Sequence, residues 1–80
     1  MDQGSDKIKT VVTIYNQQYT VVGNERSEHV QEAATFINDK MKELKRSNPS
    51  LTGTQLAVLA ALNISNDYIA LKRANEKDED

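Results

Sequence analysis

The sequence has no cysteine and no tryptophan, a single histidine, one proline and three glycines. Without cysteine there is no disulfide framework, no thiolate nucleophile and no cysteine zinc site, so a cytoplasmic setting is the default expectation. The lone histidine, His29, has no paired ligand at i+4, where Ala33 stands, which leaves zinc binding and Ser/His or Cys/His catalysis nothing to build on. Gly4, Gly23 and Gly53 stand apart from one another and form no phosphate loop. The longest apolar run, Leu56 to Leu62, is far short of the roughly 20 residues needed to span a bilayer. A cationic excess is also missing. Ten basic residues against twelve acidic ones give a net charge of -2, a poor basis for a dedicated nucleic-acid binder. The polar, acidic start Met1-Asp2-Gln3-Gly4-Ser5-Asp6 is unlike a secretory signal. An enzyme is not expected, and no cofactor or metal.

What remains reads as an α+β chain, an N-terminal β-hairpin followed by two α-helices. Residues 1–6 are expected to be a disordered lead-in, 7–75 a single globular head, and 76–80 a frayed, charged tail. From Lys7 to Tyr15 the chain is rich in β-branched residues, with Ile8, Thr10, Val12 and Ile14 on one face. Asn16-Gln17 is the expected turn, since Asn tolerates positive φ, and Gln18–Val22 returns as the second strand. A two-stranded hairpin is marginal in water, so its apolar face must pack on a helix or join another sheet.

Ser27 is placed as the N-cap of a first helix over Glu28–Arg46, with Val30, Ala33, Ala34, Ile37, Met41 and Leu44 forming an apolar stripe. Ser47-Asn48-Pro49-Ser50 stops it. Thr52 with Gln55 matches a capping box and opens a second helix that runs to about Asn75. Projected at 100° per residue, this second helix is apolar on two sides. Leu56, Leu59, Leu62, Asn63, Asn66, Ile69 and Ala70 form one face, and Ala57, Ala60, Ala61, Ile64, Tyr68 and Leu71 the other. One face can lie on the first helix. The other needs a partner that an 80-residue chain does not supply, so a homodimer is expected.

The expected dimer interface comprises Phe36, Leu56, Leu59, Leu62, Asn63, Asn66 and Ile69. Phe36 joins it because it lies off the core stripe of the first helix. Asn63 joins it because a buried asparagine commonly fixes register between paired helices. Charges on the first helix are segregated, with Glu28 and Glu32 early and Lys42, Lys45 and Arg46 late. Dipole complementarity alone would favour this arrangement. It also offers an acidic partner a basic patch.

Two strands, two helices and the string Leu56-Ala57-Val58-Leu59-Ala60-Ala61-Leu62-Asn63-Ile64-Ser65-Asn66-Asp67-Tyr68 resemble the ZapA family of bacterial cell-division proteins. Val12-Thr13-Ile14-Tyr15-Asn16-Gln17-Gln18-Tyr19, Met41-Lys42-Glu43-Leu44 and Asn48-Pro49-Ser50-Leu51 add to the match. The resemblance implies a non-enzymatic cytoplasmic protein at the mid-cell division site that binds FtsZ and bundles its protofilaments. It implies a dimer through the head, and a tetramer where a C-terminal coiled coil is present. This chain ends at Asp80, short of that coil, so a dimer is the expectation. Candidate FtsZ contacts are Asn16, Gln17 and Gln18 at the hairpin turn, with Lys42, Lys45 and Arg46. Rival readings are a ribbon-helix-helix DNA-binding dimer, which would carry one short strand rather than a hairpin, and a generic adaptor subunit.

Overall fold

The computed structural model describes residues 7–78. The expected lead-in at 1–6 and the last two residues of the expected tail lie outside the described residues. Four elements follow in order: β1 (Ile8–Ile14), β2 (Gln17–Gly23), α1 (Ser27–Ser47) and α2 (Gly53–Asp78). This is the hairpin and two helices expected from the sequence.

The strands pair antiparallel in a seven-residue ladder, from Ile14 opposite Gln17 to Ile8 opposite Gly23. That register moves the turn one residue earlier than expected. Its two central residues are Tyr15 and Asn16, with φ of 52° and 68°, and Gln17 already belongs to β2. Positive φ at both positions suits the right-handed twist of the flanking strands. For Tyr15 the conformation is costly, since a bulky side chain rarely adopts it. Two contacts hold it there. Asn38 on α1 accepts the Tyr15 N–H through Oδ1 at 2.9 Å and donates from Nδ2 to the Thr13 carbonyl at 2.7 Å. The Tyr15 ring also lies over Gly53, where an added Cβ would come within 3.1 Å of Cε2.

The expected inner face of β1 packs on α1. Thr10 and Val12 are buried, and Ile8 and Ile14 half-buried. Ser27 does not cap α1. It is the helix's first residue, Arg26 precedes it without a side-chain cap, and its hydroxyl meets the buried Thr10 hydroxyl at 2.9 Å. The buried hydroxyl of β1 competes for Ser27 because an unpaired polar group there would be costly. At the far end Asn48 donates its N–H to the Leu44 carbonyl at 2.9 Å. Lys45 Nζ donates to the Pro49 and Leu51 carbonyls at 2.7 and 3.2 Å, tying the interhelical loop to α1.

The capping box of α2 forms as read. Thr52 N–H donates to Gln55 Oε1 at 3.0 Å, and Gln55 N–H to Thr52 Oγ1 at 3.2 Å. The helix passes the expected end near Asn75 and continues to Asp78, a rod of about 39 Å at 1.5 Å per residue. Its contact with α1 is narrow. Leu56 and Ala60 are fully enclosed with Met41, and Ile14, Ile37, Leu44 and Leu51 pack around them. Farther along, Asp67 stands 4.0 Å from Lys40. The contact line therefore runs along the i, i+4 pair Leu56 and Ala60, between the two apolar faces read from the sequence. No helix among the described residues is long and apolar enough to cross a membrane.

Candidate functional site

Two surfaces of the head stand out among the described residues. The first is an apolar groove. Because α1 touches α2 only along the Leu56–Ala60 line, one flank of α2 stays open. Ala57, Ala61, Ile64 and Ser65 of α2 form one wall, and Ala33 and Phe36 of α1 the other. Ile14, Ile37 and Met41 make the floor of a space of about 500 Å³. Phe36 is 52% exposed although it stands at the rim of this groove, and Ala33, expected in the core stripe, is exposed for the same reason. Tyr68 and Leu71 extend the same flank along α2, each more than 60% exposed.

The opposite flank of α2 carries Leu62, Asn66 and Ile69, all exposed, with Leu59 half-buried. The set expected to face a second copy is therefore divided. Phe36 lies on the groove side, and Leu62, Asn66 and Ile69 on the other. Leu56 belongs to neither: at 0% exposure it is enclosed by its own chain and offers nothing to a partner. The sequence projection placed Leu56 and Ala60 on different faces although they lie about 40° apart on the helix. Asn63 donates from Nδ2 to the Leu59 carbonyl at 3.1 Å, one turn back on its own helix. Within a single chain its amide already has a partner.

The second surface joins the hairpin turn to the C-terminal half of α1. Asn16 lies beside Lys42 in a recess shared with Thr13, Tyr15, Asn38 and Asp39. Lys42, Lys45 and Arg46 gather around the Tyr15 ring in an adjoining one. Among the described residues, Lys42 and Arg46 make no ion pair. Lys45 differs, being half-buried with its ammonium on the two loop carbonyls. Gln18 is exposed, whereas Gln17 accepts the Tyr19 hydroxyl at 2.9 Å and lines a separate recess with Gly53 and Thr54. The structure thus groups Asn16, Lys42, Lys45 and Arg46, and sets Gln17 and Gln18 apart along β2. Tyr15 and Asn38 are additions that sequence reasoning missed. The available signal was Asn38 itself, a residue that competes for backbone hydrogen bonds and is ill-suited to mid-helix unless its side chain has such work.

Comparison with known proteins agrees over nearly the whole chain. The family model described as Cell division protein ZapA matches residues 10–80. The Cell division protein ZapA of Bacillus mycoides (strain KBAB4) is 48% identical over 75 residues, covering 94% of this chain and 84% of that protein. The protein of the same description from Shouchella clausii (strain KSM-K16) is 47% identical over 76 residues, covering 95% of this chain and 97% of its own length. Among solved structures, a ZapA mutant dimer from Geobacillus stearothermophilus superposes with a TM-score of 0.77 at 36% identity, over 96% of this chain and 90% of that one. An unknown conserved bacterial protein from Pseudomonas aeruginosa PAO1 gives a TM-score of 0.70 at 26% identity, over 89% and 79%.

Proposed function

This chain belongs to the ZapA family of cell division proteins, and on that premise we propose that it acts as a homodimer that binds FtsZ and bundles its protofilaments at the division ring. It works without catalysis, in the cytoplasm at mid-cell. The observation that carries the reading is the open groove lined by Phe36, Ala57, Ala61 and Ile64. A solved relative that superposes over 96% of this chain is described as a dimer, and a second copy is the occupant such a groove suits. Covering it removes an apolar patch from water and completes a core that is small in one chain, where, among the described residues, Val12, Ala34, Met41, Leu56 and Ala60 are the buried apolar ones.

A two-fold dimer presents each surface patch twice. Contacts made by Asn16, Lys42 and Arg46 to acidic groups on a polymer are individually weak, and doubling them on a rigid head converts weak affinity into avidity. Two copies of the patch on one body also suffice to touch two protofilaments. A ribbon-helix-helix chain would bring one strand to a shared ribbon, whereas here both strands of the hairpin come from one chain. The test pairs mass with pelleting. Ala61→Glu places a charge in the groove and is expected to yield monomers that no longer pellet with FtsZ polymers. Lys42→Glu with Arg46→Glu is expected to keep the dimer and lose the pelleting. Undiminished pelleting of the second variant would refute the basic patch, and a monomeric wild type would refute the dimer.

A further inference from the structure

The hairpin turn carries a conformational cost that other residue types would avoid. Both central residues of this two-residue turn have positive φ, which Asn, Asp and Gly adopt most readily. Asn16, at 68°, obeys that preference, whereas Tyr15, at 52°, does not. A residue in such a conformation persists only where its surroundings over-determine it, and residues of this kind cluster at functional contacts. Asn38 supplies the restraint from α1 through its bonds to the Tyr15 N–H and the Thr13 carbonyl. Gly53, the first residue of α2, supplies the space, since a Cβ there would stand 3.1 and 3.3 Å from Cε2 and Cδ2 of the ring. Both helices thus contribute a residue that fixes where this one ring stands.

Core packing does not account for this placement. The cluster around Met41, Leu56 and Ala60 takes in Ile14 but not its neighbour Tyr15, which stays 41% exposed. What surrounds the ring is charge. It lines one shallow recess with Lys42, Lys45 and Arg46, a single aromatic among three cations. Lys45 is committed to the loop carbonyls, whereas Lys42 and Arg46 are exposed and make no ion pair among the described residues. Surface cations alone contribute little to binding, because water and salt screen them. A ring beside them changes the balance. It offers a partner apolar area to bury, it is already held in place so that little freedom is lost, and its burial drives water from the flanking charges. Aromatic residues and arginine are also the types that dominate contact energies at protein interfaces.

We propose that Tyr15 is the apolar anchor of the FtsZ contact, and that the FtsZ surface it meets places an apolar side chain between carboxylates. This role rests on the FtsZ-binding reading and adds the residue that sets specificity. An acidic surface without the apolar side chain satisfies Lys42 and Arg46 but leaves the ring in water. Pelleting of the full chain with FtsZ polymers at about 50 and 300 mM salt tests it. Tyr15→Asn keeps every charge and suits positive φ, so the dimer should persist with a urea midpoint no lower than that of the wild type. Its binding is expected to fall about tenfold at both salt concentrations, because apolar burial is not screened. The loss from Lys42→Glu with Arg46→Glu should instead shrink at the higher salt. Tyr15→Phe retains the ring and should bind within about twofold of the wild type. Undiminished pelleting of Tyr15→Asn, a loss that shrinks with salt like that of the charge variant, or a Tyr15→Phe as weak as Tyr15→Asn would overturn the anchor and leave the basic patch standing. A wild type that does not pellet at all would overturn FtsZ binding itself, and the anchor with it.

Discussion

Replacing Asn38 by Ala removes the clamp on the hairpin turn, and its cost can be worked from three terms. Two hydrogen bonds are lost, at 2.9 Å to the Tyr15 N–H and 2.7 Å to the Thr13 carbonyl. Each contributes about 0.5–1 kcal/mol net, at the lower end of the usual range because Asn38 is half-buried and water can replace part of the bonding. Against this, Ala is the better helix former by roughly 0.5 kcal/mol. The third term is the left-handed backbone of Tyr15, about 1–2 kcal/mol of strain that the clamp holds in place. Freed from Asn38, the turn can relax toward Asn16-Gln17, which limits the loss but shifts the register. The net destabilisation expected is about 1 kcal/mol.

Asp39→Ala isolates the clamp from the helix term. Asp39 is one residue on and exposed, and it gains the same propensity without losing a bond among the described residues. Asn38→Ala should therefore fall below Asp39→Ala by about 1.5 kcal/mol in urea unfolding at matched chain concentration, with equal m-values. Amide exchange at Tyr15 should accelerate in Asn38→Ala alone. Because the clamp sets Asn16 beside Lys42, pelleting with FtsZ should also drop although every charge of the patch survives. Equal urea midpoints for the two variants would refute the reasoning.

Leu56→Ala is expected to cost about 3–4 kcal/mol, since the side chain is wholly enclosed against Met41 and Ala60; a thermal melt followed by circular dichroism should show a transition lowered steeply or lost. Lys45→Ala should cost about 1 kcal/mol in urea by releasing the Pro49 and Leu51 carbonyls, whereas Lys42→Ala should leave the midpoint within about 0.5 kcal/mol and weaken only FtsZ pelleting.

The elements were legible where a local rule decides them. The Thr52–Gln55 capping box uses atoms three residues apart and formed as read. The alternation Ile8, Thr10, Val12, Ile14 gave the inner face of β1 because a strand's side chains have only two directions to point. Errors came where a distant group intervenes. Ser27 is an apt N-cap in its own sequence, but the buried Thr10 hydroxyl, 17 residues away, claims it. The turn favours Asn16-Gln17 by residue type, but Asn38, 23 residues from Tyr15, fixes it one step earlier. Lys45 reads as a surface charge until Pro49 and Leu51 fold back to its ammonium.

The candidate site shows the same division. That α2 is apolar on two sides follows from its sequence alone, but which residues face the parent chain depends on where α1 crosses it. Leu56 and Ala60 lie about 40° apart on α2, and α1 seats Met41, Ile37 and Leu44 along that line, a narrow contact that leaves flanks open on both sides. A wider seat would have covered Ala57, Ala61 and Ile64 and left a self-sufficient head. The alanines at 57 and 61 instead keep one flank shallow, with the exposed Phe36 of α1 at its rim. In the proposed dimer, covering this flank is what would supply the free energy of association.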